Sequence, residues 1–271
     1  MWFALTFLIG DAVIFFQYNE EEVPSEKVAS YQAGNFVCKS IIELRSVETF
    51  QKIIIYEDNH LLVLNKPVCI ATQGAVSNVD SLFSLAKRYI KIKYKKPGDV
   101  FLGVVSRLDL PVSGVVVFAK TSKGASRLSE QFRNHVPQKI YTALVEGIPT
   151  MGSMELTDLI CENKETRKLW IPRFPAEKFS PKEARLIFHT LKTYTRTSLI
   201  SVQLLSGRKH QIRLQLSHHG LPIVGDGKYG AQPIAEPGIC LHASMLDLIH
   251  PTLKTAVRFI SPLPNWQKLA K

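Results

Sequence analysis

Short apolar runs rich in β-branched residues recur from residue 51 onward, and this pattern constrains the fold more than any other feature of the sequence. The clearest run is Ser113–Ala119, SGVVVFA, which predicts a fully buried strand. Other strand-like runs lie at residues 53–56, 61–64, 139–146, 184–191, 197–205, 239–246 and 256–260. Helical spacing occurs at residues 80–92, 121–134 and 210–218, with Asp80 or Ser81 capping the first helix and Gly220 ending the last. Because strands outnumber helices and do not alternate regularly with them, the sequence favours an α+β fold over a doubly wound sheet.

The chain divides by composition near residue 50. Residues 1–16 form an apolar run interrupted by Gly10 and Asp11, and an acidic, proline-containing segment that reads as a linker follows. The run is shorter than the about 20 residues of a spanning helix, and it lacks the basic start and cleavage site of a secretory signal. A buried strand or helix, a start codon placed too early, and an apolar patch that covers the main domain are its alternatives. We therefore expect residues 1–50 to be an extension of unknown role, residues 51–271 to be the main domain, and no membrane association.

The charge of the chain favours a polyanionic partner. Lys and Arg number 34 against 23 Asp and Glu, which leaves a net charge of +11 at pH 7. Nucleic acid is the usual partner of so basic a protein, with an acidic membrane surface or an unspecialised basic enzyme as alternatives. Residues 87–96, KRYIKIKYKK, hold six basic side chains and no acidic one. This stretch is either a solvated helix end or a phosphate-contact patch that includes Lys93, Lys95 and Lys96.

Motifs that bind metals or form disulfide scaffolds are absent from the sequence. None of the four cysteines lies in a CxxC pair, a pattern that fits a reducing compartment. His210, His218 and His219 lie close together but lack the HExxH or carboxylate–histidine spacing of a metal site. We therefore expect no metal.

Three stretches carry side chains suited to chemistry. Within residues 103–120, Asp109 lies between Arg107 and a PVSG turn, where its carboxylate is either a turn former or a functional group. Tyr141 lies in a strand-like stretch, KIYTALVEG, where a core tyrosine is the alternative. Residues 205–230 read LSGRKHQIRLQLSHHGLPIVGDGKYG, and on a helix His210 and Arg213 would share a face that could hold phosphate or pair with a carboxylate.

Taken together, these stretches resemble the RluA class of RNA pseudouridine synthases over roughly residues 52–262. SRLDLPVSG resembles the aspartate motif of the class, KIYTALVEG its tyrosine strand, and GRKHQIRLQL with GLPIVGDGKYG its third motif. EDNHLLVLNKP, which ends in Lys66 and Pro67, resembles its opening strand pair. Ser106 replaces the usual histidine and Val112 the usual threonine, which suggests a divergent subgroup.

The resemblance implies a mixed, largely antiparallel central sheet with flanking helices and a catalytic cleft, so that residues 51–271 form the catalytic domain. It implies that Asp109 is the catalytic aspartate, that Arg213 pairs with it, and that Tyr141 packs against the target base or assists proton removal. Arg107 is expected to hold the uridine out of the RNA stack. Other basic or polar residues are expected to contact RNA: Lys66, Arg208, His210, Gln211, Lys93, Lys95 and Lys96.

The implied activity is isomerisation of uridine to pseudouridine in structured RNA, with large-subunit ribosomal RNA expected and tRNA as the alternative. The N1–C1′ bond breaks and a C5–C1′ bond forms, so the reaction requires no redox cofactor, and we expect none. An ionised aspartate could act as the nucleophile or remove a sugar proton, and a paired target must first flip out of the helix. A catalytically silent RNA-binding protein on the same scaffold and an unrelated basic hydrolase are competing readings. We expect a cytoplasmic monomer whose partner is RNA.

Overall fold

The computed structural model describes residues 2–9, 12–19, 43–74, 79–172 and 179–270. The helices are α1 (Val47–Gln51), α2 (Leu82–Lys93), α3 (Ser122–Arg133) and α4 (Gln211–His218), with a 3-10 turn at Gly227–Tyr229. The strands are β1 (Trp2–Ile9), β2 (Ala12–Asn19), β3 (Ile54–Glu57), β4 (Leu61–Lys66), β5 (Gly103–Val104), β6 (Ser113–Ala119), β7 (Gln138–Glu146), β8 (Ser153–Glu162), β9 (Leu169–Trp170), β10 (Lys182–Thr193), β11 (Thr197–Leu204), β12 (Leu241–Ile249) and β13 (Ala256–Ile260).

Eleven strands of the described ranges form one sheet in the order β3-β4-β6-β12-β7-β11-β10-β8-β9, with β13 beside β12 and β5 beside β6. Its pairings are antiparallel except for that between β6 and β12, which is parallel and joins Ser113 to His242 and Gly114 to Ala243. The expected mixed, largely antiparallel α+β fold is confirmed.

The parallel pairing of β6 with β12 joins two halves of the sheet. Gly114 has a φ of +116°, and a Cβ at this position would overlap the backbone of Ala243. Only glycine therefore permits so close an approach in this conformation. One half centres on β4 and β6, and the other on β7, β10 and β11.

Each half has its own apolar core. In the β4–β6 half, α1 and α2 cover one face with buried side chains such as Phe50 and Leu85. In the other half, α4 packs on strands that contribute Phe188 and Val202. Burial of each such side chain contributes about 1.5–3 kcal/mol. Leu108 packs against both cores, so the segment that carries Asp109 lies where the halves meet.

The helix boundaries follow local capping chemistry. The Ser81 hydroxyl accepts a hydrogen bond from the Ser84 amide at 3.1 Å, and the Ser84 hydroxyl accepts one from the Ser81 amide at 2.9 Å, which forms a capping box for α2. Gly220 ends α4 with a φ of +76°. There the Leu221 amide donates to the Leu216 carbonyl at 2.8 Å, as in a Schellman motif. Both predicted caps are confirmed.

The amino-terminal extension is described only in part. The apolar run forms β1 and β2, which pair antiparallel with each other, in line with the strand alternative. The expected polar linker, at Glu20 to Ser25, lies outside the described residues. Among the described residues, no helix has the length and apolar character that crossing a bilayer requires.

Candidate active site

A cleft at the junction of the two halves gathers most of the side chains that the sequence predicts for the site. Seven of these residues line it: Arg107, Asp109, Tyr141, Arg208, His210, Gln211 and Arg213. They come from the loop before β6, from β7, and from the loop and helix that follow β11. The fold therefore brings together three segments that are far apart in sequence.

Asp109 lies on a tight turn immediately before β6. The Val112 amide donates to the Asp109 carbonyl at 3.1 Å, which closes the turn. The next carbonyl, that of Leu110, accepts from the Cys69 amide at 2.9 Å. The turn is thus fixed to the segment that follows β4, and the Asp109 side chain is presented from a rigid loop with 30% of its surface exposed.

Lys66 supports this turn from inside the protein. Its ammonium group donates to the carbonyls of Pro67 and Ile70, both at 2.9 Å, and to that of Leu110 at 3.3 Å. The side chain is fully buried, and this burial lowers the pKa of Lys66 to about 7. The prediction that Lys66 contacts RNA is wrong, because solvent does not reach it.

Arg213 forms the predicted contact with Asp109. One guanidinium nitrogen, Nη1, donates to Asp109 Oδ2 at 3.1 Å. The other two bind Asp226, with Nε to Oδ2 at 2.6 Å and Nη2 to Oδ1 at 2.8 Å. The Arg213 and Asp226 side chains are only 6% and 2% exposed. Burial opposes the charge of Arg213, but the hydrogen bonds and charges of Asp226 and Asp109 outweigh it, and the pKa of Arg213 rises.

Tyr141 extends from β7 into the same cleft. Its ring is half-buried against the core of the β7–β11 half. Burial and, to a lesser degree, the charge of Asp109 raise the pKa of Tyr141 above its usual value of 10.0. The hydroxyl therefore keeps its proton at neutral pH and is a poor base, whereas the ring offers a face on which a uracil can stack.

The side-chain amide of Gln211 forms hydrogen bonds to other groups of the protein. Its Oε1 accepts from the Ser206 hydroxyl and the Arg208 amide, both at 2.9 Å. Its Nε2 donates to the Arg185 carbonyl and to Gln215 Oε1, both at 3.0 Å. These atoms are bound within the protein, so Gln211 shapes the loop that presents Arg208, and its contact with RNA stays a prediction.

Besides Arg213, the cations Arg107, Arg208 and Lys139 line or approach the cleft. Arg107 is exposed, and within the described ranges it forms no ion pair or hydrogen bond. Arg208 is exposed and donates through Nε to the Glu183 carbonyl at 2.9 Å. Lys139, two residues before Tyr141 on the same face of β7, was missed by sequence reasoning. Its amine lies near Gly207, and burial lowers the pKa of Lys139.

The basic stretch at residues 87–96 is partly neutralised. Lys93 donates to Glu57 at 2.7 Å, and Lys120 binds the same carboxylate at 2.8 Å. The charge of Lys93 is therefore shared with an acidic residue from β3, and its contact with RNA stays a prediction. Lys95 and Lys96 are exposed, and the described residues include no ion pair to either.

The two departures from the aspartate motif have structural roles. The Ser106 hydroxyl accepts from the Val117 amide at 3.3 Å and donates to its carbonyl at 3.5 Å, so it supports β6. Val112 is 2% exposed and belongs to the core. Neither residue changes the contacts of the Asp109 carboxylate.

Sequence reasoning missed two further residues of the site. Asp226 and Tyr229 lie in GDGKYG, a glycine-rich turn that closes over α4. Asp226 binds Arg213, and the Tyr229 hydroxyl lies 2.7 Å from Nδ1 of His210. A buried carboxylate would have been the natural partner to seek for the predicted arginine.

The histidines take different surroundings. His210 lies in the cleft, whereas His218 and His219 are on the surface, where their ring centroids are 5.3 Å apart. In the part of the chain that the structure describes, no three His, Cys, Asp or Glu side chains are placed to hold a metal ion.

Comparisons with known proteins agree with this geometry. Residues 60–218 match the model of a family described as RNA pseudouridylate synthase. Ribosomal large subunit pseudouridine synthase C of Buchnera aphidicola subsp. Schizaphis graminum is 32% identical over 227 residues, which cover 79% of this chain and 68% of the relative. Dual-specificity RNA pseudouridine synthase RluA of Pasteurella multocida is 32% identical over 217 residues, 77% of this chain and 92% of the relative. The structure of human RNA pseudouridylate synthase domain containing 4 shares the fold with a TM-score of 0.67, at 22% identity over 81% of this chain and 92% of that one.

Proposed function

Because the chain belongs to the RNA pseudouridylate synthase family, and within it to the RluA class, it is an RNA-modifying isomerase, and we propose that Asp109 performs the chemistry on uridines of large-subunit ribosomal RNA. The observation that carries the assignment of Asp109 is its ion pair with a buried arginine at the junction cleft. Arg213 approaches the carboxylate at 3.1 Å while Asp226 fixes the guanidinium from behind.

The role of Asp109 follows from its charge and its exposure. The carboxylate is ion-paired but still 30% exposed, so a nucleotide that enters the cleft can reach it. There it acts either as a nucleophile or as a base at the sugar. The Arg213 charge favours the ionised carboxylate as substrate displaces water. A catalytically silent role is disfavoured because this pair is complete.

Tyr141 and Arg107 hold the target uridine in position for the reaction. The protonated Tyr141 provides a stacking face that holds the detached uracil while it turns to present C5. Arg107, exposed beside Asp109, occupies the position left when the uridine flips, in keeping with its charge and lack of protein partners in the described ranges. The flip is necessary because a stacked and paired uridine does not reach the carboxylate.

The remaining RNA affinity comes from the exposed cations Arg208, Lys95 and Lys96 and from the half-buried Lys139. Arg208 and Lys139 line or approach the cleft, and Lys95 and Lys96 extend the basic surface along the end of α2. These charges hold the RNA backbone without reading sequence. The protein acts as a cytoplasmic monomer whose catalytic domain is residues 51–271.

The choice of ribosomal RNA rests on the relatives. Several are named large-subunit pseudouridine synthases, of type C or D, at 30–32% identity. One relative is named a dual-specificity enzyme, which keeps tRNA as the second candidate.

Mapping of pseudouridines tests the target. RNA from a deletion strain is treated with carbodiimide and reverse-transcribed, and the strain is complemented with either the wild-type protein or the Asp109→Asn variant. We expect loss of a stop in large-subunit ribosomal RNA that only the wild-type protein restores. A stop lost and restored in tRNA alone would transfer the activity to tRNA.

A further inference from the structure

His210 has an uncommon backbone conformation. Its φ of +53° and ψ of 22° are left-handed, and it begins α4 without a side-chain cap. Such a conformation is uncommon for a residue with a Cβ and persists where its surroundings enforce it. The ring instead meets Tyr229, with Nδ1 at 2.7 Å from the hydroxyl and the ring planes at 90°. From this left-handed position the imidazole of His210 contacts the Tyr229 side chain.

The other ring nitrogen of His210 faces Asp109. Nε2 lies 3.6 Å from Oδ2, the oxygen that also accepts from Arg213. A carboxylate only accepts hydrogen bonds, so it favours the tautomer with a proton on Nε2. In this tautomer Nδ1 accepts, and the Tyr229 hydroxyl is its donor. The hydrogen bonds then run in one direction, from Tyr229 through His210 towards Asp109.

The protonation states of His210 and Tyr229 agree with hydrogen bonds that run from Tyr229 towards Asp109. Burial lowers the pKa of His210; Asp109 opposes this effect, and the cations Arg213, Lys228 and Lys209 add to it. The imidazole is therefore neutral at neutral pH and has a single N–H. Burial also raises the pKa of Tyr229 to about 12, so its hydroxyl keeps the proton that it donates.

The segment at residues 226–229 binds both side chains that approach Asp109, those of Arg213 and His210. Asp226 binds two nitrogens of Arg213 and leaves one for Asp109, while Tyr229, three residues later, binds His210. We propose that His210 is a positioning residue for Asp109: when RNA fills the cleft, its Nε2–H closes on Oδ2 and joins Arg213 in aiming the carboxylate at the sugar. The inference rests on the proposed role of Asp109 and replaces the RNA contact predicted for His210.

Two substitutions at His210 separate this role from a backbone role. Glutamine can place an amide donor near the Nε2 position, but it tolerates left-handed backbone poorly. Asparagine tolerates that backbone, but its amide reaches only the Nδ1 position. Single-turnover rates at saturating RNA are measured together with the RNA Kd and the melting temperature. We expect His210→Asn to slow the reaction about 10- to 100-fold, the effect of losing one hydrogen bond to a charged group, and His210→Gln to retain more of the rate. The Kd should change little in both.

Tyr229→Phe leaves the His210 backbone untouched and provides the second measurement. It should slow the wild-type protein but have little effect in the His210→Gln background, where no ring nitrogen needs orienting. His218→Gln, an exposed histidine of the same helix, is the matched control and should match wild type. His210→Asn as fast as His210→Gln would overturn the proposal, as would a loss confined to Kd or an equal Tyr229→Phe effect in both backgrounds. An inactive wild-type protein would instead refute the proposed function.

Discussion

Asp226→Asn tests how the buried ion pair beneath the active site supports the protein. The substitution keeps the shape of the side chain but removes the charge that faces Arg213 at 2.6 and 2.8 Å. The Arg213 side chain is only 6% exposed, so its charge would lose most of its compensation inside the protein. Breaking a buried pair from one side costs about 3–5 kcal/mol. Asp109 still contacts the guanidinium, which favours the lower end of this range.

The chain contains a matched surface pair for comparison. Arg258 binds Asp247 through two hydrogen bonds of 2.8 and 2.7 Å, with side chains 40% and 25% exposed. Asp247→Asn removes the same chemistry in water, where such a pair contributes about 0–1 kcal/mol. The two variants therefore differ in burial rather than in the bond that is broken.

Thermal unfolding and single-turnover kinetics measure the outcome. At about 2–4 °C per kcal/mol for a domain of this size, Asp226→Asn should lower Tm by roughly 6–12 °C and Asp247→Asn by a few degrees at most. Release of Arg213 should also slow catalysis about 100-fold, the cost of misplacing an active-site group by roughly 1 Å. Equal Tm values for the two variants, or wild-type kinetics in Asp226→Asn, would refute the reasoning.

Three further outcomes are expected. Burial opposes the ionisation of Glu57, but hydrogen bonds from Lys120, Lys93 and Tyr94 outweigh it and lower its pKa from 4.5 to about 2. The stability that Glu57 contributes is therefore present above pH 4.5 and lost as pH falls towards about 2. In urea unfolding at pH about 6 and about 3, the free energy of unfolding should fall less for Glu57→Gln than for wild type. Equal falls would contradict this. Tyr141→Phe should stay within about tenfold of the wild-type single-turnover rate, because stacking is kept and the protonated hydroxyl is no base; a loss of about 100-fold or more would restore proton transfer to Tyr141. Alanine at both Lys95 and Lys96 should flatten the slope of log affinity against log salt by about 0.7 per lost phosphate contact. Lys93→Ala should change this slope less, because Glu57 already shares the charge of Lys93. An unchanged slope in the double variant would show that the helix end is an ordinary solvated surface.

Local patterns were sufficient to predict most of the secondary structure. The β-branched run at residues 113–119 and the cap of α2 depend on neighbours within a few residues. The run was predicted correctly, and Ser81 was one of the two caps predicted for α2. No strand was predicted within residues 150–183, yet they hold β8 and β9. β8 alternates exposed and buried side chains at the edge of the domain, and its pairing with β10 supplies the order that its sequence alone does not.

The sequence predicted most of the charged residues of the site, but it did not predict most of the groups to which they bind. The contact between Asp109 and Arg213 was predicted from motifs, whereas Asp226, 13 residues from Arg213, was not. Lys93 was predicted to contact RNA because it lies in the basic stretch at residues 87–96, and Lys66, at the end of the EDNHLLVLNKP motif, was predicted to do the same. Their actual partners, the carbonyls around the Asp109 turn and the Glu57 carboxylate, are brought close only by the tertiary fold. Burial and long-range ion pairs are properties that a sequence pattern does not contain.

Release of tritium from RNA labelled at C5 of uridine tests the central claim most directly, because the C5–H bond is exchanged for C5–C1′ in every turnover. Purified wild-type protein and the Asp109→Asn variant are compared on the same large-subunit ribosomal RNA, with matched melting temperature and RNA affinity. We expect the wild-type protein to release tritium and the variant to release none above background. Tritium release by folded Asp109→Asn protein would show that this carboxylate does not carry the reaction.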